Sequence, residues 1–227
     1  LEVLNLIELS PIPIILEKPL SNNFKNAIQM QKKILNNKSL TLINLPNIYS
    51  ECFKKLKKLI DSNLENITEI KIFEGDFGPF RNNINPIWDW GYHSFSTLIH
   101  LFSEKTFSNI NLKEIKNNNI YGNGLVSKFD FTINNQIKVK IINGNLFKNK
   151  IRKMKLFDKN KNIYEFDMIN HKILINNKLI FVNKHSPLKT LLNSFHNDIV
   201  KNNFKNNNIN IKTACITAKL LETFYKC

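Results

Sequence analysis

Between Gly124 and Val182 the chain repeats one unit, a short run of alternating apolar and polar residues followed by a turn. The runs are Gly124–Ile133, Gln136–Ile142, Lys153–Asp158, Asn162–Asp167, Lys172–Ile175 and Leu179–Val182. A period of two puts the apolar side chains of a strand on one face. Asn134-Asn135 and Asn176-Asn177 fall where two-residue hairpin turns need residues that accept positive φ. Runs joined this way pair antiparallel. Because the apolar positions alternate with Asn and Lys, the sheet has one face to bury under helices and one face left open.

The helices come from periods of 3.6 residues. One spans about 22–36 behind Ser21, with Phe24, Ala27, Ile28, Ile34 and Leu35 as its stripe. Ser50 caps a second over Glu51–Asn63, with Phe53, Leu56, Leu59 and Ile60 inward and lysines outward. Two more run over about 187–202 and 212–225, and the Asn-rich stretches 117–119 and 202–209 read as loops. Pro13–Leu16 and Ser39–Leu45 are strands, and Leu1–Ile7 reads as the tail of a helix. Ile67–Phe73 is a strand, and Glu74–Arg81 is a loop punctuated by Gly and Pro.

Composition removes several classes of function. No apolar run approaches the roughly 18 residues a membrane span needs, and no signal peptide opens the chain. Cys52, Cys215 and Cys227 are odd in number and far apart, which argues against a disulfide framework or a zinc site and points to a reducing cytosol. The charge of +15 raises nucleic acid as a partner. However, the lysines are scattered, and the densest run, Lys54-Lys55-Leu56-Lys57-Lys58, reads as a solvated helix face. The strands show no obvious aromatic platform, so a basic binding module is the lesser alternative.

Two stretches carry chemistry. Asp89 and His93 stand four apart where an apolar helical period (Phe95, Leu98, Ile99, Phe102) begins, so a carboxylate and an imidazole share one helix face. An acid beside a histidine is an acid/base device. The pair also fits an Asp helix cap beside a half-buried structural histidine. As a metal site it lacks a third ligand. The other stretch is the apolar run ending in Glu17-Lys18-Pro19, the form of a buried parallel strand at its carboxyl end, where open α/β sheets bind ligands.

A Glu-Lys-Pro after such a strand, then an Asp-x-x-x-His on a later helix, resembles the glucose–fructose oxidoreductase / inositol dehydrogenase (Gfo/Idh/MocA) family. The resemblance implies an α/β plus α+β chain. Residues 1–46 would end a Rossmann nucleotide-binding domain, and 47–227 would form a substrate domain with an open-faced, mostly antiparallel sheet. The last helix would pack back on the first part. No Gly-x-Gly-x-x-Gly occurs among the six glycines, so the expectation is that an N-terminal part is missing and that this chain alone is inactive.

By the same resemblance the activity is hydride transfer between NAD or NADP and a secondary alcohol of a sugar, sugar nucleotide or cyclitol. His93 would be the general base, and Asp89 would orient it or meet a substrate hydroxyl. Lys18 would stabilise the alkoxide, with Glu17, Lys18 and Pro19 beside the cofactor. Arg81, Trp88 and Tyr92 are candidate substrate contacts, although Trp88 and Trp90 fit the core equally. The resemblance also implies a homo-oligomer joined through the open sheet face. The alternative is a catalytically silent scaffold of the same fold, which has no use for Lys18, Asp89 and His93 together.

Overall fold

The computed structural model describes residues 12–36, 40–82, 84–102, 107–119, 122–203 and 205–226. The helix tail read at Leu1–Ile7 and the third cysteine, Cys227, lie outside them. β1 (Ile14–Leu16) and β2 (Thr41–Ile43) form a parallel pair, Ile14 opposite Thr41, joined by helix α1 (Phe24–Asn36). A short helix α2 (Pro46–Tyr49) opens at Pro46, at the boundary expected between the two domains. Ser50 then caps α3 (Glu51–Asp61), its hydroxyl accepting from Phe53 N at 3.0 Å.

The remaining strands form one eight-stranded sheet. Their spans are β3 (Ile67–Phe77), β4 (Phe107–Asn119), β5 (Gly122–Ile133), β6 (Ile137–Gly144), β7 (Leu146–Asp158), β8 (Ile163–Asp167), β9 (Lys172–Ile175) and β10 (Lys178–Val182). The order across the sheet is β10-β9-β8-β7-β3-β6-β5-β4. Every pairing is antiparallel except β3 with β6, which is parallel. The Asn-Asn hairpins form as read: φ is 52° and 55° at Asn134 and Asn135, and 51° and 65° at Asn176 and Asn177.

Some boundaries move. β3 runs on through Glu74 to Phe77, so half of the loop read at Glu74–Arg81 is strand. The stretch 117–119 is the end of β4. Helix α5 spans Pro187–Val200, and helix α6 (Lys205–Lys226) begins inside the Asn-rich stretch 202–209, read from the sequence as a loop. Asparagine is a weak helix former, but a long helix with one buried stripe overrides local propensity.

Helices cover one face of the sheet. Phe95 of α4 (Tyr92–Phe102), Phe129 and Phe131 of β5, and Phe224 of α6 meet with ring centroids 5.1–5.9 Å apart. On the far side Phe53 of α3 meets Phe166 of β8 at 6.4 Å. α6 also reaches α1 and β2. Asn210 brackets Ile43, donating to its carbonyl (3.1 Å) and accepting from its N–H (2.7 Å), and the Cys215 thiol meets Ala27 O at 3.3 Å. The edge of β2 is thereby satisfied by a side chain. One continuous core runs from Leu20 to Phe224.

The opposite face carries paired charges, among them Lys153 and Lys155 on Glu165 at 3.2 and 2.9 Å. Two aromatic residues do sit there, Phe73 and Phe157, each half-buried, with the Lys71 ammonium 4.8 Å from the Phe157 ring centre. Among the described residues no helix is long and apolar enough to cross a membrane.

Candidate active site

β1 ends at Leu16, and the chain turns through Glu17, Lys18 and a cis Lys18-Pro19 peptide. This turn aims Lys18 across the molecule. Its ammonium donates to the Asp89 carbonyl at 2.9 Å and to Asp89 Oδ1 at 2.5 Å. Arg81 Nη1 takes the other carboxylate oxygen, Oδ2, at 3.1 Å. The Lys18 and Asp89 side chains are only 14% and 15% exposed, so this ion pair is screened far less than one on the surface. It joins two stretches that lie 71 residues apart.

Asp89 does not sit on a regular α-helix. Ile87–Gly91 form a π-helical turn that passes into α4 at Tyr92. The Asn85 side chain holds the start of the turn, accepting from Ile87 N at 2.9 Å. Asp89 and His93, four residues apart, still line one cleft. Both Asp89 oxygens serve Lys18 and Arg81 rather than the imidazole. Single π turns of this kind are frequent at functional sites.

His93 lines the same cleft as Lys18, Asp89 and Arg81. Burial pushes its pKa well below the usual histidine value, and the Lys18 and Arg152 charges push it further. The ring is therefore neutral at physiological pH, as a base must be before it accepts a proton.

The other aromatic candidates separate. Tyr92 is fully buried; its hydroxyl donates to Ala214 O (3.0 Å) and accepts from Leu20 N (3.4 Å), tying the Lys18 loop to α6. Trp88 joins the core. Neither lines the cleft, so both substrate-contact assignments give way to a packing role. Trp90 lines it instead. Arg81 lies at its edge, its side chain 51% exposed.

β7 supplies two groups that sequence reasoning missed, Lys150 and Arg152. Two residues apart on one strand, they face the same way. The Arg152 guanidinium lies 5.4 Å from the Trp90 ring centre, and its Nε lies 3.7 Å from Oε1 of the buried Glu74. Register aligns Arg152, Glu74, Asn143 and Ser127 in a polar row across β7, β3, β6 and β5, under the π turn. Ser94 of α4 donates to Glu74 Oε2 at 2.9 Å. Burial raises the Glu74 carboxyl above the usual carboxylate range, against the opposing pull of Arg152.

The cleft rim is held by Asn145. Its amide donates to Pro79 O (3.1 Å) and Asn123 O (2.9 Å), and its oxygen accepts from Leu125 N (2.8 Å). Gly78, at φ +75°, lets the chain turn there.

A larger cavity, of about 580 Å³ against about 300 Å³ for the cleft, lies between α2, α3, α4 and α6. Its described walls are mainly apolar, with Ile48, Phe53, Ile99 and Ile216 among them. It holds none of the residues singled out above. Its His100 packs at 5.5 Å on Phe53, and burial lowers its pKa to about 4. Size here does not mark the chemistry.

At the ends of β1 and β2, Asn44 Nδ2 donates to Glu17 Oε1 at 2.7 Å. Asn44 Oδ1 is buried without a partner among the described residues. A buried acceptor seldom goes unpaired. It stands one strand end from Lys18, where a nicotinamide carboxamide or ribose hydroxyl could supply the donor. No cluster of three or more His, Cys, Asp or Glu placed to hold a metal occurs among the described residues.

Solved structures decide the fold. GenD2 from gentamicin A biosynthesis, solved in complex with NAD, matches with TM-score 0.79 at 9% identity over 99% of this chain and 72% of its own. The chain has the fold of the Gfo/Idh/MocA oxidoreductases. UDP-N-acetylglucosamine 3-dehydrogenase GnnA from Acidithiobacillus ferrooxidans matches with TM-score 0.69 at 14% identity, over 97% of this chain and 75% of its own. Biliverdin reductase from Synechocystis sp. PCC 6803, solved with biliverdin and NADP+, matches with TM-score 0.69 at 11% identity over 94% and 71%. No family model and no curated protein matches the sequence. GenD2 is bound to NAD and the biliverdin reductase to NADP+, while UDP-N-acetylglucosamine and biliverdin share little chemistry, so the fold leaves the substrate to the site.

Proposed function

We propose that the chain belongs to an NAD(P)-dependent oxidoreductase acting on a secondary alcohol of a sugar, sugar nucleotide or cyclitol. Residues 1–46 are read as the end of its nucleotide-binding domain and 47–227 as its substrate domain. The observation that carries the reading is the pair Lys18–Asp89. It brings the Glu-Lys-Pro turn and the Asp-x-x-x-His turn, remote in sequence, into one cleft with a neutral histidine.

In the oxidative direction His93 takes the hydroxyl proton. The Lys18 ammonium, held by Asp89, stabilises the alkoxide character that develops on that oxygen. A bound nicotinamide would supply the acceptor for the hydride that leaves the carbon bearing that oxygen. Glu17, Lys18 and Asn44 are the described residues that would hold it. The polar, half-exposed strands of the open sheet face, with Phe73 and Phe157 among paired charges, support that face as the surface for self-association.

The test uses the full-length protein isolated from its source. NAD and NADP are offered with a panel of sugars, cyclitols and sugar nucleotides, and reduced nicotinamide is followed by absorbance. The expected result is turnover of at least one substrate that disappears in Lys18→Ala. If neither cofactor binds, the oxidoreductase reading fails in favour of a silent scaffold.

A further inference from the structure

The inner wall of the cleft holds buried donors without hydrogen-bond partners, beside a buried acceptor, Glu74 Oε1, that also lacks one. Trp90 is 94% buried by its 6% relative exposure, and its Nε1 has no partner among the described residues. Arg152 Nε is likewise buried and unpartnered, since Glu74 Oε1 lies beyond hydrogen-bond reach at 3.7 Å. Indole and guanidinium groups donate only. Lys150, exposed on the same strand face, adds a second cation beside them.

Charge accounting points the same way. Four cations line the cleft, Lys18, Arg81, Lys150 and Arg152, against the carboxylates of Asp76 and Asp89. Asp89 already holds Lys18 and Arg81. Asp76 Oδ1 accepts from Phe77 N at 2.8 Å, and its charge offsets one of the four cations. Glu74, the other carboxyl near Arg152, is buried where its charged form is disfavoured. The β7 side of the cleft is thus left positive and rich in donors, the complement of an oxyanion.

We infer that the substrate carries an anionic group, a carboxylate or a phosphate, bound by Arg152, Lys150 and the Trp90 indole N–H. The inference deepens the oxidoreductase reading and rests on it for the word substrate. It narrows the candidates to acidic sugars such as uronates, sugar phosphates or sugar nucleotides, and disfavours neutral sugars and cyclitols. The guanidinium lying over the Trp90 ring fixes the fork in place, which suits a planar or tetrahedral oxyanion better than a lone hydroxyl.

The test follows Trp90 fluorescence in the purified protein carrying Trp88→Phe, so that one indole reports. Sodium phosphate and sodium acetate are titrated against sodium chloride at equal ionic strength. A saturable response to phosphate or acetate, absent with chloride, is expected. Whichever oxyanion binds more tightly names the group as phosphate or carboxylate.

Arg152→Gln should weaken that binding about tenfold or more, as loss of a charge-assisted hydrogen bond does. Lys150→Gln should weaken it about threefold, as befits an exposed cation. Because Lys150 is exposed, its variant folds and keeps the test decisive should Arg152→Gln not fold. A response equal to that of chloride, or affinity untouched by these substitutions, overturns the inference. No cofactor is needed, so anion binding without cofactor reduction would sink the oxidoreductase reading alone. Turnover of a neutral sugar without anion binding would sink this inference alone.

Discussion

The two faces of the eight-stranded sheet handle charge in opposite ways. On the open face, Lys153 and Lys155 share Glu165, and Lys128 meets Asp130 at 3.2 Å, with the lysines 37% exposed. These partners are residues of the same or neighbouring strands, set by local register. On the covered face, at the end where the π turn crosses, Lys18 and Asp89 pair from remote parts of the chain at less than half that exposure. Near them lie a buried glutamate, an arginine over a tryptophan and a neutral histidine. Charge that solvent can screen contributes little beyond its local pairing. Charge that is desolvated and held by long-range packing makes a reactive surface.

The contrast breaks most readily at His93. His93→Asn should lower the hydride-transfer rate by about 10²–10⁴, the contribution of a general base, while the circular dichroism of the folded protein is unchanged. A variant with normal turnover would put the covered end on the same footing as the open face.

Next in size is Asp89→Ala, which strands a partly buried lysine. Denaturant unfolding should register a loss of roughly 3 kcal/mol, typical of breaking a buried pair. A loss as small as that of a surface pair would mean that the cleft ion pair is solvated after all.

pH offers a gentler probe. His93 and His100 are both neutral in the folded protein, their pKa values lowered mainly by burial, that of His100 to about 4. Unfolded, each would take up a proton below about pH 6.5. The unfolded state then binds more protons, so stability should hold above 6.5 and fall as pH drops towards 4. Thermal melts across that window should show the slope, and His100→Phe should flatten part of it. A flat profile in the parent chain would mean that neither ring is desolvated.

The smallest effect belongs to the open face. Lys128→Ala should change stability by no more than about 0.5–1 kcal/mol, and less in high salt, as exposed pairs do. That holds for the dissociated chain; a further loss that grows with protein concentration is the mark of the self-association proposed for this face.

Much of this architecture was legible in the sequence because its causes are local. Alternation fixed the strands, Asn-Asn pairs fixed two hairpins, and Ser50 fixed the start of α3. Lys18, Asp89 and His93 stood out through motif spacing. The spacing put Asp89 beside His93 but did not show that its carboxylate pairs with Lys18 and Arg81, which come from other segments. Tyr92 and Trp88 looked like cleft residues beside His93, yet the π turn rotates them into the core. Lys150, Arg152 and Glu74 drew no notice, since strand register, not local sequence, lines them up under the π turn.

The sequence by itself determined which segments are strands and helices, which face of each is apolar, and that an acid/base pair and a strand-end lysine exist. Those properties depend on residues a few positions apart, where backbone sterics and side-chain periodicity act. Only the tertiary structure decided that Lys18 would meet Asp89, that β7 would bring Arg152 under Trp90, and that His93 would be desolvated and neutral. Those properties depend on the register of strands and the packing of a helix over them. The burial that shifts a pKa or strengthens an ion pair is shared among elements that no local stretch of sequence contains.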